Sequence, residues 1–259
     1  MQFVNKIKME RSIPKTTVVL RSLMRADFTT QWRNRRSVVL TLLVPVIILL
    51  SWKSIITSFD KAVFAFSTCI TIGLTTIGLM GYSNSIARDR DKGVFQRLRV
   101  TPVPTWSIMC SRLIVQMVMI ILLTTIVFVT GFEIDKITLT PSSYALTLFT
   151  AFIGGSVYLG LGQMIVGLLK NVETVNSTTR LVYFIFLMVG MFGDIADLGQ
   201  DFKNAVLYTP YGSVKTILAS SMDISRWNNH TTIALAVTIA YALVFSFLGI
   251  KWFKWNTQS

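Results

Sequence analysis

Six long apolar runs, separated by short polar segments, organise this chain. As a helix of roughly 20 residues, each run could cross a hydrocarbon core about 30 Å thick. Because lipid offers the backbone no hydrogen-bond partners, a helix is the expected form of each run. The predicted fold is therefore an all-α integral membrane protein with six transmembrane helices. These spans cover Val38–Ile56, Ala62–Asn84, Trp106–Phe132, Tyr144–Leu169, Thr174–Phe192 and Thr231–Phe253.

Residues 15–36, ahead of the first span, have the pattern of an amphipathic helix that lies on the membrane. An apolar stripe recurs every four residues, and arginines occupy other positions around the same helix. The stripe consists of Leu20, Met24, Phe28 and Trp32. We favour an interfacial helix over the alternative, a solvated basic tail.

The segment after the fifth span, residues 193–223, is too polar to cross the bilayer, and its apolar pieces are too short to span it. A re-entrant or surface-lying external segment fits best. Asp194, Asp197 and Asp201 could share one helical face there, which raises the possibility of a cation site. A solvated acidic face remains the simpler interpretation, because metal capture usually needs more convergent ligands.

The distribution of charge predicts the orientation. With both termini in the cytoplasm, 19 of the 25 Lys and Arg residues and five of the 12 Asp and Glu residues fall on the inner side. This asymmetry meets the positive-inside rule. It also argues against nucleic acid as a partner, because topology and anionic lipid already account for the net charge of +13. We therefore expect a multi-pass protein of the cell membrane, in contact with its lipid.

Catalytic and nucleotide-binding chemistry is absent from the sequence pattern. No phosphate-binding G-x-x-x-x-G-K-[ST] loop occurs, and His230 has no Cys or His nearby to form a metal site. The centres of the six spans carry essentially no ionisable residues, which proton- or ion-coupled carriers normally place there. We expect a chain that is not an enzyme, holds no cofactor or metal, and takes energy for any transport from a partner.

The largest inner loop runs from Asp89 to Pro104. The second span can continue as helix into this loop and break at Gly93, since glycine adopts the left-handed helix-ending conformation readily. A short helix should follow, with Phe95 and Leu98 on one apolar face, and end before Pro102. Such a segment could dock on a cytoplasmic protein, or it could simply be a basic inner loop.

The same loop resembles a motif of the permease subunits of type-2 ABC exporters, in particular the small drug- and antibiotic-efflux permeases. That motif reads approximately E-R-E-R-G-T-x-E-R-L-x-x-T-P-V-S. Asp89, Asp91 and Gln96 stand where the family has Glu, and Val94 where it has Thr. The matching residues are Gly93, Arg97, Leu98, Thr101, Pro102 and Val103. A Pro-Tyr stretch at Pro210 and Tyr211 also resembles the family.

The resemblance implies that this loop is a coupling helix docked on a separate cytoplasmic ATPase, two copies of which hold ATP and Mg²⁺. It further implies a second permease subunit, identical or related, with the substrate cavity between the two. The implied coupling residues are Asp89, Arg90, Asp91, Gly93, Phe95, Arg97, Leu98, Thr101 and Pro102. The implied cavity residues are Thr71, Thr75, Thr76, Met80, Tyr183, Phe184, Phe186, Leu187 and Met188.

The whole chain, 1–259, is expected to form one transmembrane domain. Its parts are a tail with the interfacial helix (1–37), spans one and two (38–84), the coupling loop (85–105), spans three and four (106–169), an inner loop (170–180), span five with the re-entrant segment (181–230), and span six with its tail (231–259).

The resemblance implies export of a small hydrophobic or amphiphilic drug, antibiotic or peptide across a bacterial cytoplasmic membrane. Aromatic, Met and Thr residues in the expected cavity suit variable apolar ligands. The alternatives are a polysaccharide or lipid exporter, a membrane-embedded lipid-modifying enzyme that uses the external aspartates, and a non-transporting anchor or sensor.

Overall fold

The computed structural model describes residues 16–54, 56, 58–99, 105–195 and 199–253. Within these ranges the side chains of residues 36, 37, 40, 99, 105, 134, 135, 191–195 and 200 are not described. Every regular element in the described residues is helical, as the sequence predicted. The α-helices are α1 (Thr16–Arg33), α2 (Arg35–Ser51), α3 (Phe59–Thr75), α4 (Ser83–Asp91), α5 (Val94–Arg99), α6 (Thr105–Asp135), α7 (Pro141–Leu168), α8 (Val172–Ile195), α9 (Gln200–Leu207), α10 (Pro210–Met222) and α11 (Asn229–Lys251).

Four of the helices in the described ranges are long and apolar enough to cross a membrane. They are the continuous helix Phe59–Asp91, Trp106–Glu133 of α6, Pro141–Leu168 and Asn229–Lys251. The apolar part of α2, Thr41–Ser51, is shorter. The chain is thus a multi-pass helical membrane protein, and the count of six spans stays a prediction.

Side-chain caps fix where several helices begin. The hydroxyl of Ser58 accepts a hydrogen bond from the backbone N–H of Lys61 at the start of α3. Thr140 and Thr209 cap α7 and α10 in the same way, and each is followed by a proline at the first helical position. Because the first N–H groups of a helix have no partner within it, these caps hold each helix start in place.

The second span is one continuous helix that extends seven residues beyond the predicted end at Asn84. It consists of α3, a π-helical turn from Thr76 to Tyr82, and α4. The hydroxyl of Ser83 bonds the Gly78 carbonyl oxygen at 3.1 Å within this turn. A Cβ at Gly162 of α7 would lie 2.5 Å from that same oxygen. Glycine therefore lets α7 approach the backbone of the π-helical turn closely.

The segment after α8 contains a buried short helix. α10 is 13 residues long, and Tyr211, Val214 and Leu218 are buried where it packs against α3, α7 and α11. The hydroxyls of Thr150 and Ser221 lie 3.0 Å apart across the α7–α10 contact. At about 20 Å, α10 is too short to cross a bilayer. Its packing is compatible with a re-entrant segment, although its depth in the membrane stays a prediction.

The interfacial-helix prediction falls on α1, which lies along the outside of the bundle. Phe28 and Trp32 are exposed, and their rings stack with centroids 5.9 Å apart. Leu23 packs on the hydrophobic core, and Asp27 points toward α6. The apolar stripe read from the sequence thus faces partly outward, while a different face of α1 contacts the bundle.

Candidate coupling site

The chain turns sharply between α4 and α5, and the two helices form an elbow, residues 89–99. Gly93 has φ +67, and its N–H donates to the Arg90 carbonyl oxygen at 3.1 Å. This left-handed conformation favours glycine because a Cβ would crowd the following carbonyl. The predicted helix break at Gly93 is confirmed.

Arg90 lies beneath the elbow in the interior of the chain. Its side chain is 2% exposed, and its guanidinium donates to the carbonyl oxygens of Val166 at 2.7 Å, Leu169 at 2.6 Å and Lys170 at 2.9 Å. These carbonyls lie at and just beyond the end of α7, where no further helical N–H can satisfy them. Arg90 therefore joins α4 to the end of α7, and its guanidinium is not on the surface that a partner would contact.

A second polar cluster ties the elbow to α1 and α6. Arg112 of α6 contacts the carboxylate of Asp89 at 2.5 Å, and its Nε lies 3.9 Å from the Asp27 carboxylate. The Ser111 hydroxyl donates to Asp27 at 2.5 Å. Burial raises the pKa of the Asp27 carboxyl above its ordinary value, and the Ser111 hydrogen bond and Arg112 oppose this shift. Three helices thus meet through one guanidinium.

The apolar face of α5 is turned into the protein. Phe95 is 1% exposed; its ring packs edge-on against Phe253, and the Arg112 guanidinium carbon lies 5.0 Å from its centroid. Leu98 is half-buried and packs on the same core. In this conformation the Phe95 side chain contacts α6 and the residue Phe253 just after α11, and its role in contacting a partner stays a prediction.

The elbow presents a polar outer surface. Asp91, Lys92, Gln96 and Arg97 are exposed, and the Arg97 guanidinium donates to the Lys92 carbonyl oxygen at 3.0 Å. That hydrogen bond crosses the turn and holds the two sides of the elbow together. Thr101 and Pro102, also assigned to coupling, lie outside the described residues.

The nine expected cavity residues do not share one environment. Thr71 and Thr75 are buried, and their hydroxyls donate to backbone carbonyls one turn earlier in α3 at 2.7 Å. They are not at the chain's surface in this conformation. Phe184 is exposed. The half-buried members are Thr76, Met80, Tyr183, Phe186, Leu187 and Met188.

The three aspartates that were predicted to be external give no support to a cation site. Asp201 is exposed at the start of α9, the side chain of Asp194 is not described, and Asp197 lies outside the described residues. In the part of the chain that the structure describes, no three His, Cys, Asp or Glu residues are grouped so that they could hold a metal.

Sequence reasoning missed the buried polar contacts between helices. The Tyr82 hydroxyl donates to Gln163 Oε1 at 2.6 Å, and both residues lie within apolar spans. Gln163 itself indicated such a contact, because an amide inside a span requires a hydrogen-bond partner. Only ionisable residues had been considered within the spans. Arg112 was likewise read as one of many inner cations.

Together, the apolar helices define a multi-pass membrane protein, and its elbow is anchored in the interior of the chain. The ABC-2 type transporter family matches residues 18–209, about three quarters of the chain. The chain belongs to this family.

Two relatives are consistent with that membership. YvfS, a candidate transport permease of Bacillus subtilis (strain 168), is 23% identical over 240 residues, which cover 89% of this chain and 95% of YvfS. YbhR, a candidate multidrug ABC transporter permease of Escherichia coli (strain K12), is 30% identical over 116 residues, which cover 44% of this chain and 30% of YbhR.

Proposed function

We propose that this chain is the membrane subunit of an ATP-driven exporter and that residues 89–99 dock on a separate cytoplasmic ATPase. The observation that carries the proposal is that the elbow has a buried side and an exposed side. Its inner side is fastened to the chain through Arg90 and Phe95, whereas Lys92, Gln96 and Arg97 are exposed on its outer side. A docking element needs both a fixed base and an accessible surface.

The fastening gives a route by which movement of the ATPase would reach the spans. Arg90 bonds the end of α7, and Asp89 contacts Arg112 on α6, so a displaced elbow would carry parts of three helices with it. Nucleotide-driven closure of two ATPase copies would bias two membrane subunits between inward- and outward-open states. In this scheme the ATPase holds ATP and Mg²⁺, and the present chain performs no covalent chemistry.

The proposed cargo is a hydrophobic or amphiphilic small molecule. The name of YbhR describes that protein as a multidrug permease, which supports a drug-like cargo here. On α8 an exposed Phe184 is followed by the half-buried Phe186, Leu187 and Met188, a soft apolar surface without fixed charge. We place this surface toward a second membrane subunit. The elbow then faces the bacterial cytoplasm, together with both termini.

A reconstitution experiment tests the proposal. The full chain is placed in vesicles alone, with the ATPase encoded beside it, or with that ATPase carrying an inactivated phosphate loop. Uptake of a fluorescent amphiphile into inside-out vesicles, dependent on both the chain and the active ATPase, is the expected result. Transport by the chain alone, or ATP hydrolysis that never depends on the chain, would contradict the proposal.

A further inference from the structure

A cavity of about 480 Å³ opens between α6 and α11 near the elbow end of the bundle. Both helices pack on α7, and the cavity fills the gap that remains between them. Met109 and Leu113 of α6 and Ile250 of α11 form apolar walls, and Tyr82 and Gln163 form the inner polar part. Its volume falls within the usual range of small-ligand pockets. None of the predicted cavity residues lines it.

The cavity is lined by a hydrogen-bond donor for which the described residues supply no acceptor. Gln163 is 8% exposed, and its Oε1 accepts the Tyr82 hydroxyl at 2.6 Å. Among the described residues, this is the only hydrogen bond recorded for the Gln163 side chain, so its amide nitrogen is unpaired. This nitrogen is not among the fully enclosed polar atoms that lack a partner, so it is open to the cavity. A molecule in the cavity that carries a hydrogen-bond acceptor can therefore bind it.

The cavity lies beside residues that are typical of a membrane interface. Trp106 and Ile250 line it and are 60% and 76% exposed, and each belongs to a helix long and apolar enough to span the bilayer. Trp252 and Lys251 lie beside this end of α11. Tryptophan rings and lysines concentrate at the headgroup level of a membrane. The accessible molecules at this opening are therefore lipids of the surrounding leaflet.

The depth of Gln163 in the membrane determines which part of a lipid its side chain can contact. Gln163 lies five residues before the end of α7 at Leu168, about 8 Å along the helix axis. Each interfacial layer of a bilayer is roughly 5 to 8 Å thick. The amide nitrogen thus lies where the polar interface gives way to hydrocarbon, which is the level of the acyl ester carbonyls.

From these features we propose that the cavity binds an ester-linked phospholipid of the adjoining leaflet. An ester carbonyl accepts a hydrogen bond from the Gln163 amide, and the acyl chain lies against Met109, Leu113 and Ile250. The bound lipid would fill the gap between α6 and α11. This site is independent of the cargo surface proposed on α8.

The test compares two photolabels in nanodiscs of unlabelled ether-linked phosphatidylcholine that hold the full chain. One label is an ester-linked phosphatidylcholine with a diazirine on an acyl chain, and the other is its ether-linked analogue, which has no carbonyls. Mass spectrometry then quantifies labelled peptides from α6 and α11. We expect the ester label to exceed the ether label by about threefold or more at these peptides.

Variants test whether the difference in labelling between the two lipids arises at the cavity. Gln163→Leu should equalise the two labels, and Leu113→Trp should reduce both because the larger side chain fills the cavity. Leu243→Trp is the control, because Leu243 is 67% exposed on α11 and does not line the cavity. Equal labelling of the wild-type chain by both lipids, or full labelling of Leu113→Trp, would overturn the proposal. Displacement of the ester label by the exported amphiphile would also overturn the proposal, because it would show that the cavity binds cargo.

Discussion

The guanidinium of Arg90 donates a hydrogen bond of 2.6 Å to the carbonyl oxygen of Leu169, 79 residues further along the chain. This contact joins the end of the second span to the residue just beyond α7. A charged group thereby supplies donors that the end of α7 lacks. It also gives the elbow a rigid base inside the protein.

Replacing Arg90 with Met should destabilise the chain, because three carbonyl oxygens would lose a buried charged donor. Hydrogen bonds to charged groups contribute about 1.5 to 3 kcal/mol each, and the losses are not additive. We expect a total loss of about 2 to 4 kcal/mol and a melting temperature lower by roughly 5 to 10 °C. Thermal unfolding in detergent measures this.

The matched control is Arg88→Met on the same helix, since Arg88 is exposed. It should leave the melting temperature nearly unchanged. Equal effects of the two variants would mean that the carbonyl contacts of Arg90 contribute nothing to stability.

Asp27→Asn should change how stability depends on pH. Burial raises the folded-state pKa of Asp27 above the ordinary value of 3.8. A raised folded pKa favours the folded state below the unfolded pKa, and this contribution is lost as pH rises through the folded pKa. The melting temperature of the wild type minus that of Asp27→Asn should therefore decrease between about pH 4 and pH 7.

Asp201→Asn serves as the control, because Asp201 is exposed on α9. Its melting temperature should stay close to that of the wild type, because the side chain is on the surface. A difference for Asp27→Asn that instead grew with pH would show that the attraction to Arg112 outweighs burial.

Gly162→Ala should impair the contact between α7 and the π-helical turn. The added Cβ would lie 2.5 Å from the Gly78 carbonyl oxygen and from the Ser83 hydroxyl. Backbone cannot move aside cheaply, so we expect a loss of about 1 to 3 kcal/mol. The yield of monodisperse protein after detergent extraction and its melting temperature report the effect.

Gly81→Ala provides the comparison within the same π-helical turn, where a Cβ would meet nothing closer than 3.7 Å. This variant should retain the wild-type yield. Similar losses in both variants would indicate that any side chain in this region is harmful, and that the close approach at Gly162 is not the cause.

The elements were more predictable than the contacts between them. The period and length of the apolar runs are local properties, and they placed the ends of the predicted spans within seven residues of the helix ends. Gly93 was found because one backbone conformation limits the residue type. The inward orientation of Arg90 and Phe95 could not be predicted, because a charged or aromatic residue in a loop motif gives no sign of whether it faces inward. The π-helical turn packs against α7, a contact that no local pattern encodes.

The number of cargo molecules exported per ATP hydrolysed tests whether the elbow couples ATP hydrolysis to transport. It is measured in reconstituted complexes that carry Arg97→Glu. Arg97 is exposed on the elbow, and Arg25→Glu on the exposed side of α1 is the charge-matched control. Arg97→Glu should reduce this ratio by about tenfold or more with membrane insertion intact, as expected when a charge in a docking contact is reversed. A ratio equal to that of the wild type and of Arg25→Glu would contradict this coupling role.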